Sequence, residues 1–252
     1  MPRIPEHWRW ARLHEVADVV GGITKDAGKQ NDPVFEEVYY LRVANVQSGR
    51  IDLSNVATIK ASKAKIEQLA LRSGDVLLNE GGDRDKLARG WVWEEQLPLC
   101  IHQNHVFRAR VRDGVLDPKI LAWHANGFGR VWAEVNGKQS VNLASISLSK
   151  IRLLPVPIPP KVEQSRIVSM IEENLDAVDR LMIYVSMAEN RAKQLRRSLL
   201  AEAFAGRLVL QDSNDEPASV LLERIRSQGT AQPKLKRTRQ SKQSTPIQEA
   251  LL

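Results

Sequence analysis

The sequence predicts an α+β protein, in which a strand-rich mixed globular domain is followed by a long coiled-coil helix. Three observations carry this. Short apolar runs alternate with turn residues through the first 150 positions, where all six tryptophans lie. Four prolines then crowd positions 155–160. From Lys161 to Ala205 there is neither Gly nor Pro, and apolar residues recur at alternating spacings of three and four.

The elements follow in order. Val38–Val43, Asp75–Leu78 and Trp91–Trp93 read as strands, and Ala61–Leu71 and Pro118–Ala125 as helices. Leu154–Pro160 is too proline-rich for a helix or a central strand, so it reads as a stiff, extended exit from the domain. Pro160 suits the first position of the helix that follows. The helix seam is Val168, Ile171, Leu175, Val178, Met182, Val185, Ala192 and Leu199, interrupted only by Glu189 and Arg196. Leu181, Ala188 and Leu195 form a second stripe beside it. At ~1.5 Å per residue the helix runs roughly 65–70 Å and needs a partner helix for its seam. Gly206 caps it. A polar turn at Asp212–Glu216 leads to a short amphipathic helix opened by Pro217, with Val220, Leu221 and Ile225 on one side. The tail carries Lys234, Lys236, Arg237, Arg239 and Lys242 and reads as disordered. This gives a globular domain at 1–154, a proline hinge and long helix at 155–210, a short helix at 211–228 and a basic tail at 229–252.

The 252 residues carry a formal charge of +7, with 42% hydrophobic and 27% charged side chains. That balance is ordinary for a folded protein and favours an anionic partner. The single cysteine, Cys100, excludes an internal disulfide framework and suits a reducing cytoplasm. No run is long enough to span a bilayer, and the N-terminus lacks the apolar core of a signal peptide.

Catalytic motifs are missing. Gly22–Gln30 resembles a phosphate loop, but five residues separate its glycines and Gln30 stands where Ser or Thr would hold a metal ion. His102 and His105 have no acidic or thiol partner at ligand spacing, and Cys100 beside His102 lacks an orienting third group. Asp117-Pro118-Lys119 reads as a helix cap followed by proline. No catalytic or metal-ligating residue is therefore assigned, and no resident cofactor. Two stretches suit DNA instead. Asn79–Trp93 combines glycines with Arg84, Lys86 and Arg89, which would hold phosphates, although Glu80, Asp83 and Asp85 balance them. Asn136–Asn142 offers Lys138 to phosphate, and amides such as Gln139 to base edges.

Several segments together resemble the specificity subunit of type I restriction–modification enzymes, in one of its two halves. They are Ile4–Leu13, Tyr40–Gln47 with Gly49, the Gly81–Gly90 loop, His102–His105, Ala201–Leu208, Asp215–Ala218 and Leu221–Ile225. The resemblance covers roughly residues 4–228. It implies a target recognition domain, similar to that of adenine methyltransferases, and a conserved helical spacer. It further implies a non-catalytic DNA-reading subunit whose partners are double-stranded DNA, a methylation subunit and a restriction subunit. S-adenosylmethionine, ATP and Mg2+ would belong to those partners. Where the usual subunit has two domains and two helices, this chain has one of each, so self-association through the helix is expected. The alternative is a truncated cassette that binds partner subunits without productive DNA reading. Motifs common to members with different targets cannot themselves read different bases, which points to Lys25, Lys29 and Gln30 and to Gln139 as base readers; Gln103 and Asn104 are added as further candidates.

Overall fold

The computed structural model describes residues 2–82, 87–139 and 144–230, apart from the side chains of Lys29, Gln139 and Thr230. The chain forms two compact units, Met1–Leu181 and Met182–Leu252. The first unit begins with β1 (Arg9–Arg12), α1 (Leu13–Val16), β2 (Ala17–Gly21), β3 (Glu36–Leu41), β4 (Val46–Gln47) and β5 (Arg50–Ile51). It continues with β6 (Ala57–Ala61), α2 (Lys63–Leu69), β7 (Asp75–Asn79), β8 (Gly81–Gly82), β9 (Gly90–Val92), β10 (Cys100–His102) and β11 (Val106–Val111). Then come α3 (Pro118–His124), α4 (Arg130–Asn136), β12 (Lys138–Gln139), β13 (Ala144–Ser145), α5 (Leu148–Ile151) and β14 (Pro155–Ile158). The long helix α6 (Lys161–Phe204) starts in the first unit and ends in the second, which also holds α7 (Ala218–Thr230).

The centre is an antiparallel sheet ordered β2-β11-β7-β9. All five residues of β7 are buried, so it is covered on both faces. Alternation sends Val76 and Leu78 into the main core, with Phe107, Ala109, Leu13, Leu121 and Ile151. Leu77 points the other way, to Leu41, Trp93 and Val106. A second sheet, β10-β3-β6, pairs β10 parallel to β3 and packs Val38, Tyr40 and Ile59 on Ile66 and Leu69 of α2.

The three predicted strands are β3, β7 and β9, and α2 lies inside the predicted Ala61–Leu71. Asp117 does cap α3, its carboxylate accepting Lys119 N–H at 2.8 Å with Pro118 in the first turn. The helix does not stop at Ala125, however. It continues through one π-turn, Ala125–Gly129, into α4. Asn126 in that turn grips the Gly90 peptide from both sides, at 3.0 and 2.8 Å. A Cβ on Gly90 would lie 1.9 Å from the Leu77 carbonyl oxygen, so only glycine lets β9 approach β7 there.

The proline segment corrects one expectation. Pro155–Ile158 is not an exit but a strand, β14, paired antiparallel with β1. Leu154 and Val156 are fully buried in the main core. A strand with one neighbour needs its N–H groups on one side only, which is why proline is tolerated. The domain thus includes the root of α6. Gln164 is buried there, its amide donating to Val115 O (3.0 Å) and Pro159 O (2.9 Å) and accepting from Asp117 N–H (2.8 Å). Glu163 accepts from Trp8 Nε1 at 2.9 Å and lies 2.7 Å from His7 Nε2.

Of the seam, Val168 packs on the main core and Ile171 is half-buried. Leu175, Val178, Met182, Val185, Ala192 and Leu199 are exposed, Met182 at 64%. Gly206 follows α6 with φ +69°, as its capping role requires. Val220, Leu221 and Ile225 of α7 are exposed too. The basic tail from 231 onward lies outside the described residues.

Gly22 supplies a test of this packing. A Cβ there would sit 1.9 Å from His102 O and 2.5 Å from Gln103 O, both backbone atoms. Gly22→Ala is expected to cost roughly 2–4 kcal/mol and to lower the thermal midpoint by about 5–15 °C, read by calorimetry. An unchanged midpoint would show that the two segments are not in contact.

Candidate nucleic-acid interface

One end of the central sheet gathers five of the ten predicted contact residues, Lys25, Gln103, Asn104, Lys138 and Gln139. Beyond β2, Ile23 forms a parallel bridge to Gln103, with Ile23 N–H on His102 O (2.9 Å) and Asn104 N–H on Ile23 O (3.0 Å). This sets Thr24 and Lys25 beside the 103–105 turn. That turn is tied to the end of β7, where Glu80 N–H meets His105 O at 2.9 Å and the His105 ring lies 2.6 Å from the Glu80 carboxylate. Glu80 O in turn accepts Ile146 N–H (2.8 Å), and β13 pairs with β8 on one side and β12 on the other. A continuous chain of backbone bonds therefore links Lys25, Gln103, Asn104, His105, Lys138 and Gln139.

Along this edge Lys25 and Lys138 are exposed, and Gln103 and Asn104 are partly so. Asn104 Nδ2 lies 3.3 Å from the His105 ring. Ammonium groups and amides in one row suit phosphates and base edges respectively. Arg84 and Lys86 lie outside the described residues, as do the side chains of Lys29 and Gln139. Their flanks are fixed: Gly82 pairs with Ala144, and Leu87 and Ala88 are fully buried. Arg89 is half-buried and its carbonyl accepts Asn79 N–H.

Gln30 has a different task from the one its sequence position suggests. Its amide accepts Lys60 N–H (3.0 Å) and donates to Lys60 O (3.2 Å), copying a strand neighbour of β6. With both ends engaged it pins the 24–35 loop and is not free to read a base, a correction to the expected assignment. Sequence reasoning also missed the Glu80–His105 pair. Its partners lie 25 positions apart, and only the backbone bond between them brings them together.

Tyr40–Gln47 and His102–His105 hold buried polar side chains, as does the Asn79 end of β7, whereas Ala201–Leu208, Asp215–Ala218 and Leu221–Ile225 are mostly exposed. Asn45 is buried, donating to Asp52 O (2.9 Å) and Asn55 O (3.0 Å) and accepting Arg42 N–H (2.9 Å). Asn79, also buried, donates to Val46 O at 2.9 Å. His102 is fully buried, with Nδ1 2.6 Å from Val106 O. Burial pushes the His102 imidazole down to about 4, which keeps it neutral, with its Nδ1 proton on that carbonyl. Burial pushes the Cys100 thiol up to about 12, so it is no nucleophile. Among the described residues no three His, Cys, Asp or Glu side chains are grouped to hold a metal ion.

Comparison with known proteins places this geometry in a class. A chain solved in a study of complex assembly and conformational transition of the type I R-M system superposes with a TM-score of 0.57 at 20% identity, over 86% of this chain and 53% of the other. The HsdS subunit from Thermoanaerobacter tengcongensis does so at 0.55 and 21%, over 82% and 47%. The fold is thus that of these type I system chains. In sequence, the StySPI specificity subunit of Salmonella potsdam is 25% identical over 223 residues, 84% of this chain and 47% of its own. The EcoBI specificity subunit of Escherichia coli is 24% identical over 238 residues, 90% and 49%. The MjaX specificity subunit of Methanocaldococcus jannaschii, itself putative in name, is 20% identical over 205 residues. No family model matches. The chain is a relative of type I restriction enzyme specificity subunits and spans about half the length of those it matches.

His102 makes the core sensitive to acid. Its folded value lies below the ordinary 6.5, so the unfolded chain binds a proton that the folded one refuses. The contribution is complete above pH 6.5 and is lost as pH falls from 6.5 through about 4. Burial shifts His124 in the same direction. Unfolding free energy measured against pH is expected to fall across that window, and His102→Gln should reduce the slope by somewhat under one proton. Equal slopes in the two proteins would mean that His102 is charged in the folded state.

Proposed function

We propose that this chain is a DNA-reading half of a type I restriction–modification specificity subunit. It binds double-stranded DNA along the edge from Lys25 to Lys138 and reads one half of a bipartite target. It scaffolds the methylation and restriction subunits in the prokaryotic cytoplasm and catalyses nothing itself. S-adenosylmethionine, ATP and Mg2+ belong to those subunits. The observation that carries the reading is a long helix with an exposed apolar seam, rooted in a domain of this fold.

A second copy is the simplest cover for that seam, because a two-fold contact lets one stripe satisfy itself. Charge favours an antiparallel pair. The first half of α6 carries Glu172, Glu173, Asp176 and Asp179, and the second half Arg191, Lys193, Arg196 and Arg197. Antiparallel pairing sets acid against base, whereas parallel pairing sets like against like. It also carries the two domains to opposite ends. The target would then be a palindrome with a gap, with half-sites no more than about 20 bp apart at ~3.4 Å per base pair.

Light scattering of the chain, alone and with its methylation subunit, tests the pairing. A dimer, and a complex with two copies of each, is expected; a persistent monomer with one methylation subunit favours the truncated cassette. DNA contact is tested separately by salt titration of binding. Lys138→Ala should flatten the log–log salt slope by about one and weaken all sequences alike, whereas Lys25→Ala, at a proposed base reader that is also a cation, should flatten the slope and shift which sequence is preferred. Gln103→Ala and Asn104→Ala should change which sequence is preferred and leave the slope alone. Unaltered slopes in both lysine variants would remove this edge from the footprint.

A further inference from the structure

At the opposite end of β7 and β11 from the polar edge lies an open cleft of about 340 Å3, lined among others by Arg72, Arg110, Arg112 and Asp113. Arg110 is neutralised inside it, its guanidinium meeting both oxygens of the buried Asp75 at 2.7 Å. Arg72 and Arg112 are exposed. A smaller cleft shares Gly114 and Leu116 with it and adds Lys161, whose Nζ would lie 3.8 Å from a Cβ on Gly114. Among the described residues neither Arg72, Arg112 nor Lys161 has a carboxylate partner; Arg112 donates to His14 O at 3.2 Å. Against these three cations the two clefts offer two carboxylates, Asp113 and Asp117, the second already engaged as the cap of α3.

We propose that this cleft receives the acidic turn Asp212–Glu216 of a second copy, so that the partner's chain completes a site it does not itself lie in. The inference rests on the helix pairing proposed above. Centring the free seam on itself pairs Leu175 with Ala192 and Met182 with Val185 of the second copy, and brings that copy's Leu199 up to Val168, which its own domain already partly covers. The same register brings Lys161 level with the second copy's Gly206, where α6 has ended and the backbone turns at φ +69°. This is also where the seam is closed on the first copy. Lys161 and Gln164 continue the seam stripe toward the N-terminus, and Gln164 is buried against Val115 and Asp117. The incoming helix therefore stops where the domain blocks its groove, and the chain after it must cross the domain beside Gly114. Five residues separate Gly206 from Asp212, a reach of up to ~20 Å when extended, which would release the bond from Gln211 Nε2 to Gly206 O (3.0 Å). Asp212 holds Asn214 N–H with one oxygen, and Asp215 is exposed. Glu216 is paired with Arg224 and plays the lesser part. The duplex bound at the far edge does not compete for the cleft, because a six-residue β11 separates the two ends.

The test uses the full chain. Arg72→Glu with Arg112→Glu should raise the dimer dissociation constant about tenfold, and adding Asp212→Lys with Asp215→Lys should restore it to within about threefold. As a check that does not depend on the arginines, a chain bearing Asp113→Cys is mixed with a differently tagged chain bearing Asp215→Cys and treated with a short bis-maleimide. A hetero-crosslink is expected, the buried Cys100 being unreactive. A dimer with an unchanged dissociation constant and no hetero-crosslink overturns the docking and leaves the helix pairing standing. A chain that is monomeric before any substitution overturns the pairing itself, and the docking with it.

Discussion

Gln164 turns both its amide protons and its amide oxygen to the domain, holding the carbonyls of Val115 and Pro159 and the N–H of Asp117. Its neighbour Glu163 ties in Trp8 and His7 from the other end of the first unit. Removing the Gln164 amide would leave the buried Pro159 carbonyl without a partner, at about 1–3 kcal/mol, and the part-buried Val115 carbonyl and Asp117 N–H without theirs at less. The start of α6 is therefore fixed by the domain rather than by helix propensity. Everything downstream inherits this. The helix leaves at a set place, its first seam positions are used at home, and its free seam begins only at Leu175.

From there the physical problem changes sign. Leu175, Val178, Leu181, Met182, Val185 and Leu199 remain in water when the chain is alone. Each large apolar side chain is worth about 1.5–3 kcal/mol on full burial, so covering the stripe supplies on the order of ten kcal/mol gross. Association opposes this with a comparable loss of freedom. Such a helix is stable as half of something. In the proposed pair its uneven charge, acidic first and basic later, would set the direction, since repulsion between like halves penalises the parallel arrangement.

How much of this was legible in the residues follows from the range of the interactions involved. The α6 seam, the Asp117 cap and the strand at Asp75–Leu78 are local patterns, visible because period and spacing are properties of neighbours. The role of Pro155–Ile158 was not, because its burial comes from pairing with Arg9–Arg12 nearly 150 positions away. Proline content announces what a segment cannot be, and both an exit and a one-sided strand satisfy it. Gln30 failed for a similar reason. A polar residue in an exposed-looking loop is free to read a base or to copy a backbone neighbour, and only the position of Lys60 decides. The clustering of Lys25 with the 103–105 turn likewise depends on a single bridge, Ile23 to Gln103, that no periodicity encodes.

Two of the segments that carry the resemblance to specificity subunits hold buried polar residues, Asn45 and His102, with the buried Asn79 beside a third, and that has a physical logic; the segments at 201–208, 215–218 and 221–225 are mostly exposed. Asn45, Asn79 and His102 each satisfy backbone groups that would otherwise be orphaned in the interior, so their identity is set by geometry. They stand directly behind the edge that holds Lys25, Asn104 and Lys138. A side chain that must saturate an interior carbonyl cannot vary with a DNA target, whereas one that projects from the end of a fixed strand can. The interior amides keep the ends of β7 and β10 in place, leaving the loops beyond them to change without loosening the fold. A domain built this way suits the DNA reader proposed above, because changes at its exposed edge typically shift stability by no more than about 0.5 kcal/mol each.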